Sequence, residues 1–309
     1  MDAAQSPSGA ARELVAGRAG YLVCLGYDGW APERVVESLA GLGYRWCEWS
    51  LHHYEPGDAA SLRRLKDLTE AGGLRVSELI AQQDYVTLAD ATWESRVTRT
   101  ETAIRDAAAV GIGTVNVLSG PNLWEPGALR VPDDVATAAA WERVWRAFDR
   151  IVPLAEREGI GLAFEACWGT LCDDYFSTAD LFARYDSPAL GVNLDPSHYV
   201  LRRQPIDWVI GRWGDRIRHV HVKDVIGEPG MEGDTFMFPL IGEGRTDWSA
   251  FFRALDAAGY TGALSVEFES YRYYEQVLGG DPEAAARLGI ETLEAVWDRF
   301  GLAGEVGRE

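Results

Sequence analysis

The sequence predicts a single-domain (β/α)₈ barrel, or TIM barrel, and three observations lead to that prediction. The chain has 309 residues, which suits a fold that typically needs about 250 residues. From Tyr21 onward, short apolar runs alternate with longer amphipathic runs of helical spacing. The GxGxxG fingerprint of a doubly wound dinucleotide-binding sheet does not follow the first apolar run, at residues 21–27.

Eight apolar runs are the predicted barrel strands, because parallel strands are buried on both faces and read as continuous apolar segments. They lie at residues 21–27, 45–50, 75–81, 114–120, 161–167, 190–195, 217–225 and 263–270. Predicted helices between them include residues 32–43, 61–73 and 141–159, and several strands follow a glycine that is expected to end a helix. We expect the barrel to span residues 20–302, with a flexible N-terminal tail at 1–19 and a C-terminal tail at 303–309.

The charge of the chain argues against nucleic-acid and membrane partners. There are 48 Asp and Glu against 29 Lys and Arg, a formal net charge of -19, and such a surface repels phosphate backbones and anionic membranes. We expect neither a signal peptide nor a membrane helix, because no segment has the required apolar length. The four cysteines form no CxxC pair and are expected to be reduced thiols, so we expect a cytoplasmic protein.

Four predicted strands carry a titratable side chain near their C-terminal ends, where a buried charge is unfavourable unless it is paired or binds a metal. These are Glu165, Asp195, His221 and Glu267. They are 30, 26 and 46 residues apart, about one strand–helix unit each, the last lengthened by a segment at 227–244 that we expect to cover the barrel mouth. Consecutive strand ends are neighbours on the barrel rim, so the four side chains are predicted to converge.

Three carboxylates and one imidazole form an oxygen-rich donor set. Such a set favours one divalent ion of the Mn²⁺, Mg²⁺, Co²⁺ or Fe²⁺ type over a thiolate zinc site. We take Mn²⁺ as the expected ion and keep Mg²⁺, Co²⁺, Fe²⁺ and Zn²⁺ as alternatives. His219 points the same way as His221 along the strand. Because His221 is nearer the C-terminal mouth, we assign it to the metal and His219 to the layer below.

These residues, in this order, resemble the sugar phosphate isomerase/epimerase family of the xylose-isomerase-like TIM-barrel superfamily. The resemblance runs from about Tyr21 to Phe300. It is carried by Glu165, the run Asp195-Pro-Ser-His198, the run His221-Val-Lys223-Asp224, the stretch at 242–248 and the run Leu264-Ser-Val-Glu267. It implies metal ligation by Glu165, Asp195, His221 and Glu267, and a substrate contact by His198 beside the metal.

The chemistry that the resemblance implies is an isomerase or epimerase reaction. A proton is removed next to a sugar carbonyl, and a metal-stabilised enediolate forms. Glu165 and Glu267 are the expected catalytic pair, one removing a proton and the other returning one. His198 and Lys223 are expected to bind substrate oxygens.

Further substrate contacts are less well defined by the resemblance. His53 follows the second strand and is therefore expected on the active-site side of the barrel. The ketose 3-epimerases of this family place an arginine six residues beyond the metal-binding histidine, where this chain has Gly227. Arg245 is the candidate replacement. Gly242 and Gly244 predict a turn rather than a phosphate cradle.

Other functions stay open at this point. The same metal site could serve a dehydratase or lyase that cleaves a C–O or glycosidic bond of a keto-sugar, keto-inositol or glycoside. A metal-dependent nuclease is disfavoured by only five histidines and by the acidic charge. A non-catalytic sugar-binding barrel is disfavoured because all four metal ligands are present. The expected partner is a small sugar or sugar-derived substrate, and a homo-oligomer and a subunit of a larger complex are both kept as alternatives to a monomer.

Overall fold

The computed structural model describes residues 17–301, and within them the predicted closed parallel barrel is confirmed. Each strand pairs with the strands before and after it in sequence, and the first strand closes the barrel by pairing with the last. The predicted tails lie outside the described residues except for residues 17–19. No helix within the described range is long and apolar enough to cross a bilayer.

The eight barrel strands are shorter than the apolar runs, because every run except the second continues into the loop at the C-terminal mouth; the first strand also begins two residues before its run. They are β1 (Ala19–Leu22), β2 (Trp46–Ser50), β3 (Arg75–Ile80), β4 (Thr114–Val117), β5 (Gly161–Glu165), β6 (Leu190–Leu194), β7 (Ile217–Val222) and β10 (Leu264–Val266). Two further short strands, β8 (Ile226–Gly227) and β9 (Phe236–Met237), form an antiparallel hairpin after β7.

Helices surround the barrel and join its strands. They are α1 (Pro32–Leu42), α2 (Ala59–Ala71), α3 (Asp90–Val110), α4 (Thr137–Glu158), α5 (Tyr175–Ala183), α6 (Pro196–Leu201), α7 (Ile206–Trp213), α8 (Trp248–Ala257) and α9 (Pro282–Phe300). Their ends follow from local chemistry. Helix α9 begins where the Asp281 side chain accepts hydrogen bonds from two backbone amides, and α1 ends at Gly43, whose φ of 103° suits glycine.

The apolar core lies between the barrel and its helices. On β5, Phe164 points outward and packs against Phe148 of α4 and Phe182 of α5, with ring centroids 5.6 and 5.9 Å apart. On β2, Trp49 points outward and donates its indole N–H to Thr69 of α2. This outward packing fixes which residues alternate into the barrel.

The barrel interior is polar where many barrels are filled by branched apolar side chains. Six inward-facing polar side chains, which we call the inner layer, come from six different strands and are all buried. They are Glu48, Glu78, Asn116, Asn193, His219 and Ser265. Their hydrogen bonds to one another compensate for burial away from water.

Asp224 holds the loop that covers the barrel mouth. Its buried carboxylate accepts hydrogen bonds from the backbone amides of Gly242, Gly244 and Thr246 and from the indole of Trp248, at 2.9–3.1 Å. A Cβ at residue 244 would lie 2.1 Å from this carboxylate, so only glycine fits there. The two glycine amides therefore bind Asp224 and form a turn.

We predict that Asp224→Ala lowers the free energy of unfolding by about 3 kcal/mol or more, because hydrogen bonds to a charged group contribute about 1.5–3 kcal/mol each. Urea unfolding would measure this loss. The exposed Asp67 on α2 provides the matched control, and Asp67→Ala should change stability by less than about 0.5 kcal/mol. Equal midpoints for both variants would contradict the role given to Asp224.

Candidate metal centre

The structure brings the four predicted metal ligands together at the C-terminal mouth. Glu165 ends β5, Asp195 follows β6, His221 lies in β7 and Glu267 follows β10. One donor atom from each lies within 4.8 Å of the others, and all but Glu267 are fully buried. We call these four residues the rim cluster. Because their strands are neighbours in the barrel, the unit spacing in the sequence becomes convergence in space.

The imidazole of His221 is the centre of the rim cluster. Its Nδ1 atom lies 3.2 Å from Glu165 Oε1 and 3.2 Å from Glu267 Oε2. The two carboxylate oxygens of Asp195 have different surroundings. Oδ1 accepts a hydrogen bond from the backbone amide of Ser197 at 2.8 Å, and Oδ2 faces the rim cluster. This backbone hydrogen bond also caps α6 and fixes the orientation of the carboxylate.

Lys223 is buried beside the rim cluster. Its ammonium group lies 2.6 Å from Glu267 Oε2, 2.7 Å from Glu269 Oε2 and 3.0 Å from Asp195 Oδ2. Glu269 in turn accepts a hydrogen bond from the hydroxyl of Tyr271 at 2.6 Å. Lys223 thus compensates buried carboxylates and also faces the cavity at the mouth.

The electrostatics of the site follow from its burial and its pairing. Burial lowers the pKa of His221, but Glu48 and Glu165 outweigh that effect and hold the pKa well above its usual value. Burial raises the pKa of Glu165, but His221 and His198 outweigh it and hold the pKa well below its usual range. Burial lowers the pKa of Lys223, which Asp195 and Glu267 raise well above its usual value. A cation that binds here must displace the proton on His221.

His198 lies where a contact beside the metal was predicted. On α6, its Nε2 atom is 3.3 Å from Asp195 Oδ2 and 3.7 Å from Glu165 Oε1. The ring is buried, yet neither of its nitrogens has a hydrogen-bond partner among residues 17–301. A buried imidazole left unsatisfied is unfavourable unless a ligand completes it.

The donor set fits a divalent cation. Three carboxylates and an imidazole whose donor atoms lie within 4.8 Å of one another are close enough to surround one ion. The unsatisfied nitrogens of His198 are a second sign that this point receives a ligand.

A cavity of about 470 Å³ opens above the rim cluster. Its floor includes Glu165, Lys223 and Glu267. Four aromatic side chains contribute to the walls, and part of the cover comes from the segment at 227–244 that was expected over the mouth. The remaining lining residues are Gln82, Leu123, Trp124, Cys167, Trp168, Met231, Glu232, Phe238, Glu269 and Tyr271.

Two predicted substrate-binding residues do not line this cavity. The ring of His53 packs against Trp49 and accepts hydrogen bonds at Nδ1 from Ser50, so it turns toward the helix layer. Arg245 is exposed on the covering loop and donates to the carbonyl of Gly227 at 2.6 Å. Substrate contacts by these two side chains stay predictions that this cavity does not support.

Sequence reasoning missed the carboxylates of the inner layer. His221 Nε2 lies 3.0 Å from Glu48 Oε2, and His219 Nδ1 lies 3.4 Å from Glu78 Oε1. Burial raises the pKa of Glu48, but His221 and His219 outweigh it and lower the pKa to about 2, so this carboxylate is ionised. A signal was present: Glu48 and Glu78 interrupt apolar strands as Glu165 does.

Comparison with known proteins agrees with this architecture. The chain is 30% identical over 146 residues to an inosose dehydratase of Geobacillus thermodenitrificans, which covers 44% of this chain and 49% of that protein. The chain spans about half the length, or less, of the first curated relatives it matches.

Solved structures share the fold over most of their length. A structure of IOLI protein with a bound zinc atom has a TM-score of 0.71 at 15% identity and covers 92% of this chain and 99% of that one. D-psicose 3-epimerase from Clostridium cellulolyticum H10 has a TM-score of 0.67 at 17% identity, with coverage of 92% and 99%.

A model of the family described as xylose isomerase-like TIM barrel matches residues 36–296, which is most of the barrel. The match covers every rim-cluster residue and agrees with the resemblance seen in the sequence. The chain therefore belongs to the xylose isomerase-like TIM barrel family.

Proposed function

We propose that this chain is a divalent-metal-dependent sugar isomerase or epimerase. The observation that carries the proposal is the placement of Glu165 and Glu267. They come from β5 and from the end of β10, lie 3.2 Å from the same nitrogen of His221, and both line the cavity. Two carboxylates on either side of one cation site suit the removal of a proton and its return at a neighbouring position.

We propose that Glu165, Asp195, His221 and Glu267 hold the ion. Mn²⁺ is the expected metal, and Zn²⁺, present in the similar IOLI structure, is kept with Mg²⁺, Co²⁺ and Fe²⁺ as an alternative. When bound, the ion would stabilise the negative charge that develops on the substrate carbonyl oxygen.

The protein's own groups supply orientation and proton transfer. Glu165 is held through Oε2 by the amide of Gln82 at 2.8 Å, which leaves Oε1 directed to the rim cluster. Glu267 is held by Lys223 at 2.6 Å, and Lys223 and His198 are the proposed donors to substrate oxygens. A carboxylate fixed in this way can accept a proton from a substrate carbon without first reorienting.

The cavity favours a neutral sugar or cyclic polyol as substrate. No arginine occurs among the described residues that line it, and its one lysine is already paired with three carboxylates. A phosphate group would therefore meet mostly negative charge. Trp124 and Trp168, with ring centroids 5.7 Å apart, offer faces on which the apolar side of a sugar ring can stack.

A dehydratase is the second candidate, because the inosose dehydratase relative shares 30% identity and Lys223 could donate a proton to a departing hydroxyl. Incubation of neutral keto-sugars and keto-inositols in D₂O separates the two activities. An isomerase or epimerase incorporates deuterium into a product of unchanged composition, whereas a dehydratase forms an unsaturated product one water lighter. Absence of both changes across the panel would contradict proton abstraction next to a carbonyl.

We predict that the wild-type protein binds one divalent ion per chain and that Asp195→Ala and His221→Ala lose metal and activity together. His198→Ala should keep the metal and lose about 100-fold in turnover, the scale expected when a substrate is misplaced. Metal analysis after dialysis, combined with turnover, tests both statements. Metal loss in His198→Ala as complete as in His221→Ala would make His198 a ligand.

We predict that Glu165→Gln and Glu267→Gln fold normally, bind the metal more weakly and lose at least about 100-fold in turnover at saturating metal, because the amide cannot accept the proton. Glu232→Gln is the matched control, since Glu232 lines the same cavity outside the rim cluster, and it should keep turnover within about threefold.

Isotope exchange distinguishes the roles of the two glutamates. In an epimerase, one Gln variant should still exchange substrate hydrogen with solvent while failing to invert the carbon centre. Wild-type turnover in both Gln variants at saturating metal would rule out carboxylate-based proton transfer.

A further inference from the structure

A second group of potential ligands lies directly below the rim cluster. Donor atoms of Glu48, Glu78, His219 and His221 all lie within 4.8 Å of one another, and all four residues are buried. His221 belongs to both groups, and the other three belong to the inner layer. What this lower group does for the site above depends on how the two nitrogens of His221 are used.

The two nitrogens of His221 face opposite layers. Nδ1 points to the carboxylates of Glu165 and Glu267 at 3.2 Å each, and Nε2 lies 3.0 Å from Glu48 Oε2. A neutral imidazole carries one N–H and one lone pair. With the proton on Nε2, Glu48 accepts it and Nδ1 offers its lone pair to the cation site. In the other tautomer the proton is on Nδ1, where it would face the cation. The lone pair is then on Nε2, where it would be repelled by the Glu48 carboxylate.

Asn193 supports the same assignment independently. Its Oδ1 atom lies 3.0 Å from His219 Nδ1 and accepts its proton, which leaves the amide N–H₂ directed at His221 Nδ1, 3.1 Å away. Since an amide N–H₂ can only donate, this contact disfavours a proton on Nδ1 of His221, whereas the carboxylates of Glu165 and Glu267 can only accept and would stabilise one until a cation takes its place. Two separate partners, Glu48 and Asn193, thus favour the tautomer that suits metal binding.

Glu48 is itself held in place. Its Oε1 atom accepts a hydrogen bond from the hydroxyl of Ser265, and the carboxylate is wholly buried. It reaches His221 from β2, which is three strands away from β7 around the closed barrel. A fixed carboxylate behind a metal-binding histidine sets the ring orientation and increases the basicity of the ligating nitrogen.

We propose that Glu48 is a positioning residue that binds the Nε2 proton of His221 and thereby presents Nδ1 to the metal. The inference rests on the proposed metal-dependent function. It assigns the lower group to supporting the rim cluster rather than to a second ion. Most of the potential ligand atoms in the lower group already have hydrogen-bond partners. Ser265 donates to Glu48, Asn116 donates to Glu78, and His219 donates to Asn193.

Zn²⁺ binding to wild-type protein and to Glu48→Gln tests the proposal. Loss of a carboxylate behind a ligating histidine typically weakens metal binding about 10–100-fold, and we expect a loss in that range. Glu78→Gln is the matched control, because Glu78 has the same chemistry and burial but lies 3.8 Å from His221 Nε2. It should bind Zn²⁺ within about threefold of wild type.

A spectroscopic measurement separates positioning from general damage to the barrel. In [¹⁵N]histidine-labelled, Zn²⁺-loaded wild type, His221 should show Nδ1 bound to zinc and a downfield, slowly exchanging Nε2 proton. In Glu48→Gln this proton should move upfield and exchange faster. If Glu48→Gln does not fold, Ser265→Ala removes only the hydroxyl that holds Glu48, and it should show the same changes to a smaller degree.

The outcomes are distinguishable from failure of the proposed function. A wild-type protein that binds no divalent ion would refute the metal-dependent function itself. One ion in wild type, with equal affinity and an unchanged His221 signal in Glu48→Gln, would overturn only the role of Glu48. Two ions per chain, or zinc on Nε2 of His221, would show that the lower group is a metal site.

Discussion

The interior of this barrel depends on the neutralisation of buried charge. Carboxylates from β2, β3 and β5, and from the residues that directly follow β6 and β10, point into one narrow space, and burying them unpaired would be strongly unfavourable. His221, Lys223, His198 and His219 are basic side chains that contact them, and His221 touches both layers. The interior is therefore arranged around His221: inner-layer groups fill one side of its ring, and the rim cluster leaves the other side for a cation.

Other contacts in the fold fix which side chains face this arrangement and what covers it at the mouth. Aromatic packing between strands and helices, such as Phe164 against Phe148, fixes which side chains alternate inward. At the mouth, Asp224 gathers the returning chain through hydrogen bonds to backbone amides. The loop in turn places Glu232 and Phe238 over the cavity. The cover of the cavity and the geometry of the rim cluster thus depend on residues that have no proposed role in the reaction.

The sequence was sufficient to predict the barrel and the convergence of the rim cluster, because strand order in a barrel turns unit spacing into adjacency. It was not sufficient for the inner layer. Glu48 and His221 are 173 residues apart and meet across the barrel, a relation that spacing along neighbouring strands does not reveal. The sequence also could not predict the direction of side chains in loops. His53 follows β2 as expected, but its ring packs against Trp49 and does not line the cavity.

The central claim is that one cation occupies the rim cluster on the Nδ1 side of His221. Anomalous diffraction from crystals of the Mn²⁺-loaded protein tests it most directly. The account predicts a single strong peak per chain, within coordination distance of His221 Nδ1 and of carboxylate oxygens of Glu165, Asp195 and Glu267. A peak among the inner-layer residues on the Nε2 side, or no peak at the rim cluster in fully loaded protein, would contradict it.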